Sequence, residues 1–274
     1  MKRLVPVLGF VLCLALVGAA EAAPVTRVVH GGLDGWSTPG DGSTFTDFSH
    51  APIPAGFFCV SSAPFAGRIE YKGAPIAADH GKTLGNADTL VERLDDAYFD
   101  KRGIASSRIQ IRALQLVSTK PVKTSCGDFN AKVVLHGNQP TTRMKIVRET
   151  AEGGFYIADL SVNTKILFTP VGKPNAAPLV LQQNVRFNRN PRTPWSAKWP
   201  GGQEVASVVR VDTDGDGRVD SVLPGFSNFV AGLAADQRQG NVRGGSYICH
   251  ANFDDETGTN KQHCIYLCDG CQIP

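Results

Sequence analysis

The chain has 274 residues, of which 42% are hydrophobic and 19% charged, and a formal net charge of +3. A balance this near neutral gives no electrostatic case for nucleic acid or an anionic membrane surface as partner. The length is enough for a sizeable core, in one large β domain or two smaller ones.

At the N-terminus, Lys2 and Arg3 precede an apolar stretch from Leu4 to Val17, and Ala20-Glu21-Ala22 has the small-x-small form of a cleavage site. Residues 1–22 are read as a signal peptide. The apolar stretch is shorter than the roughly 20 residues that a bilayer span requires. Cys13 follows Leu12 rather than a small residue, which argues against a lipid anchor there. No later segment is apolar enough to span, so the mature chain is expected to be secreted, to the extracellular space or the periplasm. Cleavage removes Lys2, Arg3 and Glu21 and lowers the net charge by one.

Strand signals dominate the mature chain. A Gly-rich opening runs from His30 to Gly42, and Arg68–Tyr71 and Thr89–Leu94 are strand candidates. The segment Asp88–Asp100 leaves a short helix open. Arg108–Leu116, Thr142–Arg148 and Ser161–Phe168 alternate polar and apolar residues with period two, as strands do when one face meets a core and the other meets water. Ala131–Leu135, Phe155–Ala158, Leu179–Phe187, Ser207–Val211 and Val219–Leu223 complete the set. Gly153-Gly154 and His136-Gly137-Asn138 read as turns, and residues 170–178 as a Pro-rich connector. Many short strands with frequent turns predict an all-β fold, an antiparallel β-sandwich over residues 23–199. Residues 200–274 are expected to form a small disulfide-rich C-terminal extension carrying a calcium-type loop, as a separate module or packed on the sandwich.

That loop is Asp212-Thr213-Asp214-Gly215-Asp216-Gly217-Arg218-Val219-Asp220. Four carboxylates so close repel one another unless a cation lies between them. Counted from Asp212, positions 1, 3, 5, 6, 7 and 9 follow an EF-hand, but Leu223 stands where a bidentate Glu is expected. The flanks read as strands, not helices. The loop therefore resembles the strand-loop-strand Asp-x-Asp-x-Asp-Gly-x-x-Asp calcium sites of secreted repeat proteins, such as the FG-GAP repeats of β-propellers and the thrombospondin type 3 repeats. The resemblance occurs once, so it implies a ligand set rather than a fold: the side chains of Asp212, Asp214, Asp216 and Asp220 and the carbonyl of Arg218, holding Ca²⁺. The plain alternative is a solvated hairpin turn, since Asp-Gly pairs are common connectors.

Six cysteines remain after cleavage. Cys59 and Cys126 are isolated and are expected to staple two strands of one domain; Cys249, Cys264, Cys268 and Cys271 crowd the tail, where sequence does not choose among three pairings. With His250 and His263 they could also hold tetrahedral zinc. Export favours disulfides, and no βαβ context supports a redox role for Cys268 and Cys271.

Catalytic signatures are sparse. Gly81-Lys82-Thr83 lacks the upstream glycine of a phosphate loop, and no Gly-x-Ser-x-Gly or His-Glu-x-x-His occurs. Trp195 and Trp199, with Arg189 and Arg192, form a basic, aromatic stretch that could contact a glycan or other extracellular ligand; its alternative is a connector whose tryptophans plug the sandwich. The leading expectation is a secreted, calcium-stabilised β protein with a non-catalytic binding or surface role. The alternative is an exported hydrolase acting on polysaccharide, with structural calcium and Trp36, Trp195 or Trp199 lining a cleft.

Overall fold

The computed structural model describes residues 25–267 apart from Pro39, Gly85 and residues 189–192, 198–207, 232–245 and 255–258; for Asp159, residues 186–188 and those beyond 245 it describes the backbone alone. The signal peptide, Trp199, Arg189, Arg192, Cys268 and Cys271 thus lie outside the described residues. The described residues form twenty strands. The first ten are β1 (Val28–Val29), β2 (Gly32–Trp36), β3 (Phe45–Asp47), β4 (Arg68–Gly73), β5 (Ala77–Ala78), β6 (Lys82–Thr83), β7 (Thr89–Arg93), β8 (Ala97–Tyr98), β9 (Ile104–Ser118) and β10 (Val122–Thr124). Then come β11 (Gly127–Leu135), β12 (Thr142–Thr150), β13 (Gly153–Pro170), β14 (Leu179–Asn188), β15 (Thr193–Ser196), β16 (Val208–Val211), β17 (Ser221–Pro224), β18 (Val230–Ala231), β19 (Ser246–Asp254) and β20 (Thr259–Leu267). The named strands pair antiparallel throughout, and the helical content of the described residues is a single 3-10 turn at Asp79–Gly81.

Two long strands organise the molecule. β9 and β13 flank a line made of β11 and β12, which lie end to end and are interrupted at residues 136–141. Each long strand changes neighbours midway: β13 pairs with β12 and β15 over its first residues and with β14 and β11 over its last. The expected alternation is plain in the first part of β9, where Ala105, Ile109 and Ile111 are buried while Arg108 is exposed; it stops at Ala113, from which residues 113–116 are all buried. The main core includes Val91, Met144, Ile146, Tyr156, Phe168 and Trp195, and the arrangement fits a sandwich.

Three local expectations change. The segment 88–100 contains β7 and β8, not a helix, because Leu90 and Val91 are buried on both faces of β7. Gly153 and Gly154 begin β13; the turn is at Ala151–Glu152, and a Cβ at Gly154 would overlap the Val147 carbonyl, so close strand approach explains that glycine. The Gly-rich opening contains β2, all five residues of which are buried.

A smaller sheet, ordered β17-β16-β5-β6, packs on a second cluster of Leu33, Ile76, Leu90, Val211, Leu223 and Phe226. Residues 208–231 are therefore joined to the preceding strands: β16 pairs with β5, and β18 pairs with β15.

Cys59 and Cys126 form a disulfide across a sequence separation of 67. It joins two turns rather than two strands, tying the 54–61 turns to the β10–β11 turn, beside Phe58, whose ring lies 5.1 Å from those of Phe129 and Phe168. Replacing both cysteines by serine is expected to cost about 2–4 kcal/mol, mainly by freeing the unfolded chain. Urea unfolding reads this; an unchanged midpoint would show that the phenylalanine cluster holds the segment unaided.

Candidate metal centre

β16 delivers the chain to the acidic loop, and β17 carries it away. Asp212 is the buried anchor: its N–H donates to the Ala77 carbonyl at 2.9 Å, and its carboxylate accepts from Gly215 N–H (2.6 Å), Gly217 N–H (2.8 Å) and the Gln115 amide (3.3 Å). Three donors satisfy a carboxylate that would otherwise be costly to bury. Asp214 accepts from Asp216 N–H at 3.0 Å, and Asp216 from Arg218 N–H at 2.7 Å. Gly215 and Gly217 have φ of +81° and +91°, which only glycine adopts without strain, and a Cβ at Gly215 would also press on Val134.

This winding turns Asp212, Asp214 and Asp216 inward, so that one carboxylate oxygen from each lies within 4.8 Å of the others. Asp214 and Asp216 are exposed, so a cation could enter from solvent. Oxygen-only donors suit a hard cation such as Ca²⁺. Asp220 stands outside this group: its carboxylate accepts from the N–H and hydroxyl of Thr213 at 2.9–3.0 Å, clamping the base of the loop. Burial works against its charge, but the hydrogen bonds from Thr213 and Ser221 outweigh that and lower its pKa. Arg218 enters through its N–H. Lys132, on β11, donates to the Gly215 carbonyl at 2.5 Å, placing one fixed positive charge against the loop.

A polar depression of about 340 Å³ adjoins the loop, lined by Asp214, Thr213, Arg112, Asn138 and Gln139 among others. A wider one, of about 690 Å³, lies elsewhere on the surface, with Asp96, Tyr98, Ser106, Arg143 and Lys145 in its lining.

Trp195 offers no face to a ligand. It is fully buried, stacked between Phe99 and Phe229 at 5.8 and 5.2 Å, and its indole N–H donates to the Val147 carbonyl. Trp36 is also buried in the main core. In the tail, the β19–β20 register sets Cys249 opposite Cys264 and His250 opposite His263. The buried pair Arg93–Asp34, the buried Asp88 and the wider depression do not emerge from the sequence. For the depression the only signal was the outward alternation of Arg143 and Lys145.

Comparison of the chain with protein-family models, curated proteins and solved structures finds no match.

Proposed function

We propose that this chain is a secreted, calcium-stabilised β protein with a non-catalytic binding or surface role. The observation that carries the reading is the convergence of the Asp212, Asp214 and Asp216 carboxylates on a strand-loop-strand turn. The N-terminal sequence and the Cys59–Cys126 disulfide are compatible with export. The binding reading is preferred to the hydrolase because, among the described residues, the two depressions each have a single carboxylate in the lining, Asp96 in one and Asp214 in the other. Glycoside hydrolysis ordinarily needs two, roughly 5–10 Å apart.

Thermal unfolding of the oxidised mature protein in EDTA, then across a Ca²⁺ titration with Mg²⁺ as control, tests the ion. At 100 times its Kd, Ca²⁺ should add roughly 2.7 kcal/mol. Asp214→Ala should abolish the increment while leaving the EDTA baseline close to wild type, because Asp214 is exposed and its hydrogen bond to Asp216 N–H is local to the loop. Asp212→Ala would be uninformative, since it also unties the loop. A melting temperature indifferent to Ca²⁺ would reduce the segment to an acidic hairpin turn.

A further inference from the structure

The wider depression lies over strands whose positions are set by continuous pairing. Ser106 of β9 and Lys145 of β12 are directly opposite, and Ile157 of β13 continues the row. Arg143 stands two residues from Lys145 on the same strand and is likewise exposed. Side chains at i and i+2 of a strand share a face, about 7 Å apart. Tyr98 comes from β8 and is 71% exposed. Such an aromatic presents a flat apolar face with a polar tip.

Among the described residues, the two cations here are uncommitted. Arg68, Arg93, Arg102, Arg108, Arg112 and Arg210 each lie within ion-pair distance of a carboxylate. Among the described residues, Arg143 and Lys145 have no such partner. Asp95 is close enough to Arg143 to feel its charge, but that carboxylate is engaged by both Nε and Nη2 of Arg108. The single acid in the lining, Asp96, is fixed by Gly31 N–H at 2.8 Å and by His30 Nδ1 at 3.2 Å, and the first of these contacts leads in lowering its pKa.

We propose that this depression is a binding site for an acidic saccharide. The guanidinium of Arg143 and the ammonium of Lys145 receive the sugar's carboxylate or sulfate. The Tyr98 ring takes the apolar face of the sugar, and Ser106 and Asp96 take its hydroxyls. The combination discriminates between ligand classes. Two free cations call for an anionic group, and a forked guanidinium suits a planar carboxylate. A fixed carboxylate acceptor beside them calls for hydroxyl donors in the same ligand. It repels the unbroken charge of a phosphate backbone or an acidic peptide run, so a saccharide with one acidic group per ring fits best. The site is built without the acidic loop and does not depend on bound calcium.

The test is isothermal titration of the full mature protein with three tetrasaccharides: a galacturonate oligomer, a sulfated heparin fragment and neutral cellotetraose. Each titration is run in Ca²⁺ and again in EDTA. Binding of one or both acidic probes, weakening with salt, is expected, with little binding of cellotetraose. Which acidic probe binds distinguishes carboxylate from sulfate as the anionic group. Arg143→Gln or Lys145→Gln should each weaken binding ~10-fold, as loss of a charge-assisted hydrogen bond does. Tyr98→Ala should also weaken it, while Lys123→Gln, on β10, should not. These exposed positions should leave the melting temperature near wild type, so that lost binding is not lost folding. Absence of binding by both acidic probes overturns the proposal, as does equal binding of cellotetraose or affinity untouched by the Arg143 and Lys145 changes. Failure of the calcium reading would show separately, in the melt.

Discussion

Replacing Arg93 by methionine is expected to destabilise the protein by about 3–5 kcal/mol, the usual cost of leaving one member of a buried ion pair without its partner. Arg93 and Asp34 are paired with both side chains essentially inaccessible to solvent. The register explains the meeting: Gly32 is opposite Arg93, so Asp34 is its diagonal neighbour on the same face of β2. The guanidinium also donates to the Ser227 hydroxyl at 2.6 Å and to the His30 carbonyl at 3.3 Å, and lies 4.5 Å from the centre of the Phe229 ring. One side chain thus links β2, β7 and the 227–229 segment. Changing Arg93→Met and Asp34→Leu together should recover much of the loss, since an apolar pair of similar volume needs no desolvation of charge. Urea unfolding of the two single variants and the double decides it. A loss below about 1 kcal/mol in Arg93→Met would mean that water or other donors satisfy Asp34 without it.

Asp88 should give the protein an unusual pH profile. Its side chain is fully buried, and desolvation pushes its pKa up to about 7, against the opposing effect of hydrogen bonds from Thr89 and Thr38. In the unfolded chain the carboxyl titrates near 3.8. Below that value both states hold the proton. Between 3.8 and about 7 only the folded state does, so the unfolded state gains from ionising and stability falls as pH rises, by about 1.4 kcal/mol per unit. Above 7 the loss levels off at about 4 kcal/mol, an order-of-magnitude figure. Carboxylates with lowered pKa act the other way. Asp95, brought to about 2 chiefly by its hydrogen bond with Arg108, contributes stability that is lost as pH falls below the ordinary carboxylate range. Maximum stability is therefore expected at about pH 4–5, on the acid side of the usual optimum. Asp88→Asn should remove the decline between pH 5 and 8 and exceed wild type at pH 8. Its amide oxygen can accept from Thr38 N–H, and its NH₂ can donate to the Thr38 and Thr89 hydroxyls that contact Asp88 now. Chemical denaturation across pH 4–9 reads both curves. Parallel slopes for wild type and variant would show that Asp88 ionises normally in the fold. Gly73→Ala should be poorly tolerated, because a methyl group there would overlap the Asp88 carboxylate.

The alternation of Arg108–Leu116, Thr142–Arg148 and Ser161–Phe168 was enough to place β9, β12 and much of β13, because period two is imposed by the backbone wherever one face is buried. It did not show that β13 runs unbroken from Gly153 to Pro170, since glycine marks both a turn and a close approach, and only the position of Val147 distinguishes them. The acidic loop was equally legible as a local object. Its Asp-Gly rhythm implies the left-handed turns at Gly215 and Gly217 and the inward carboxylates. The division of labour within it was not: Asp220 clamps Thr213, and Lys132 reaches in from β11, a contact between residues 83 positions apart.

By itself the sequence determined the β class and the strand-flanked acidic turn, and it suggested the pairing of the two isolated cysteines. Each of these depends on residues close in sequence or, for the cysteines, on there being no other pair outside the tail. Tertiary structure alone decided which charges are buried and which are free. Arg93 and Arg143 look alike in sequence, each an arginine in a segment read as a strand. One is enclosed with Asp34 and the other left facing solvent beside Tyr98, because burial and ion pairing depend on which distant strands the register brings alongside. Likewise Trp195, a plausible ligand platform in the sequence, is enclosed between Phe99 and Phe229, which lie far from it along the chain and meet it only in the fold.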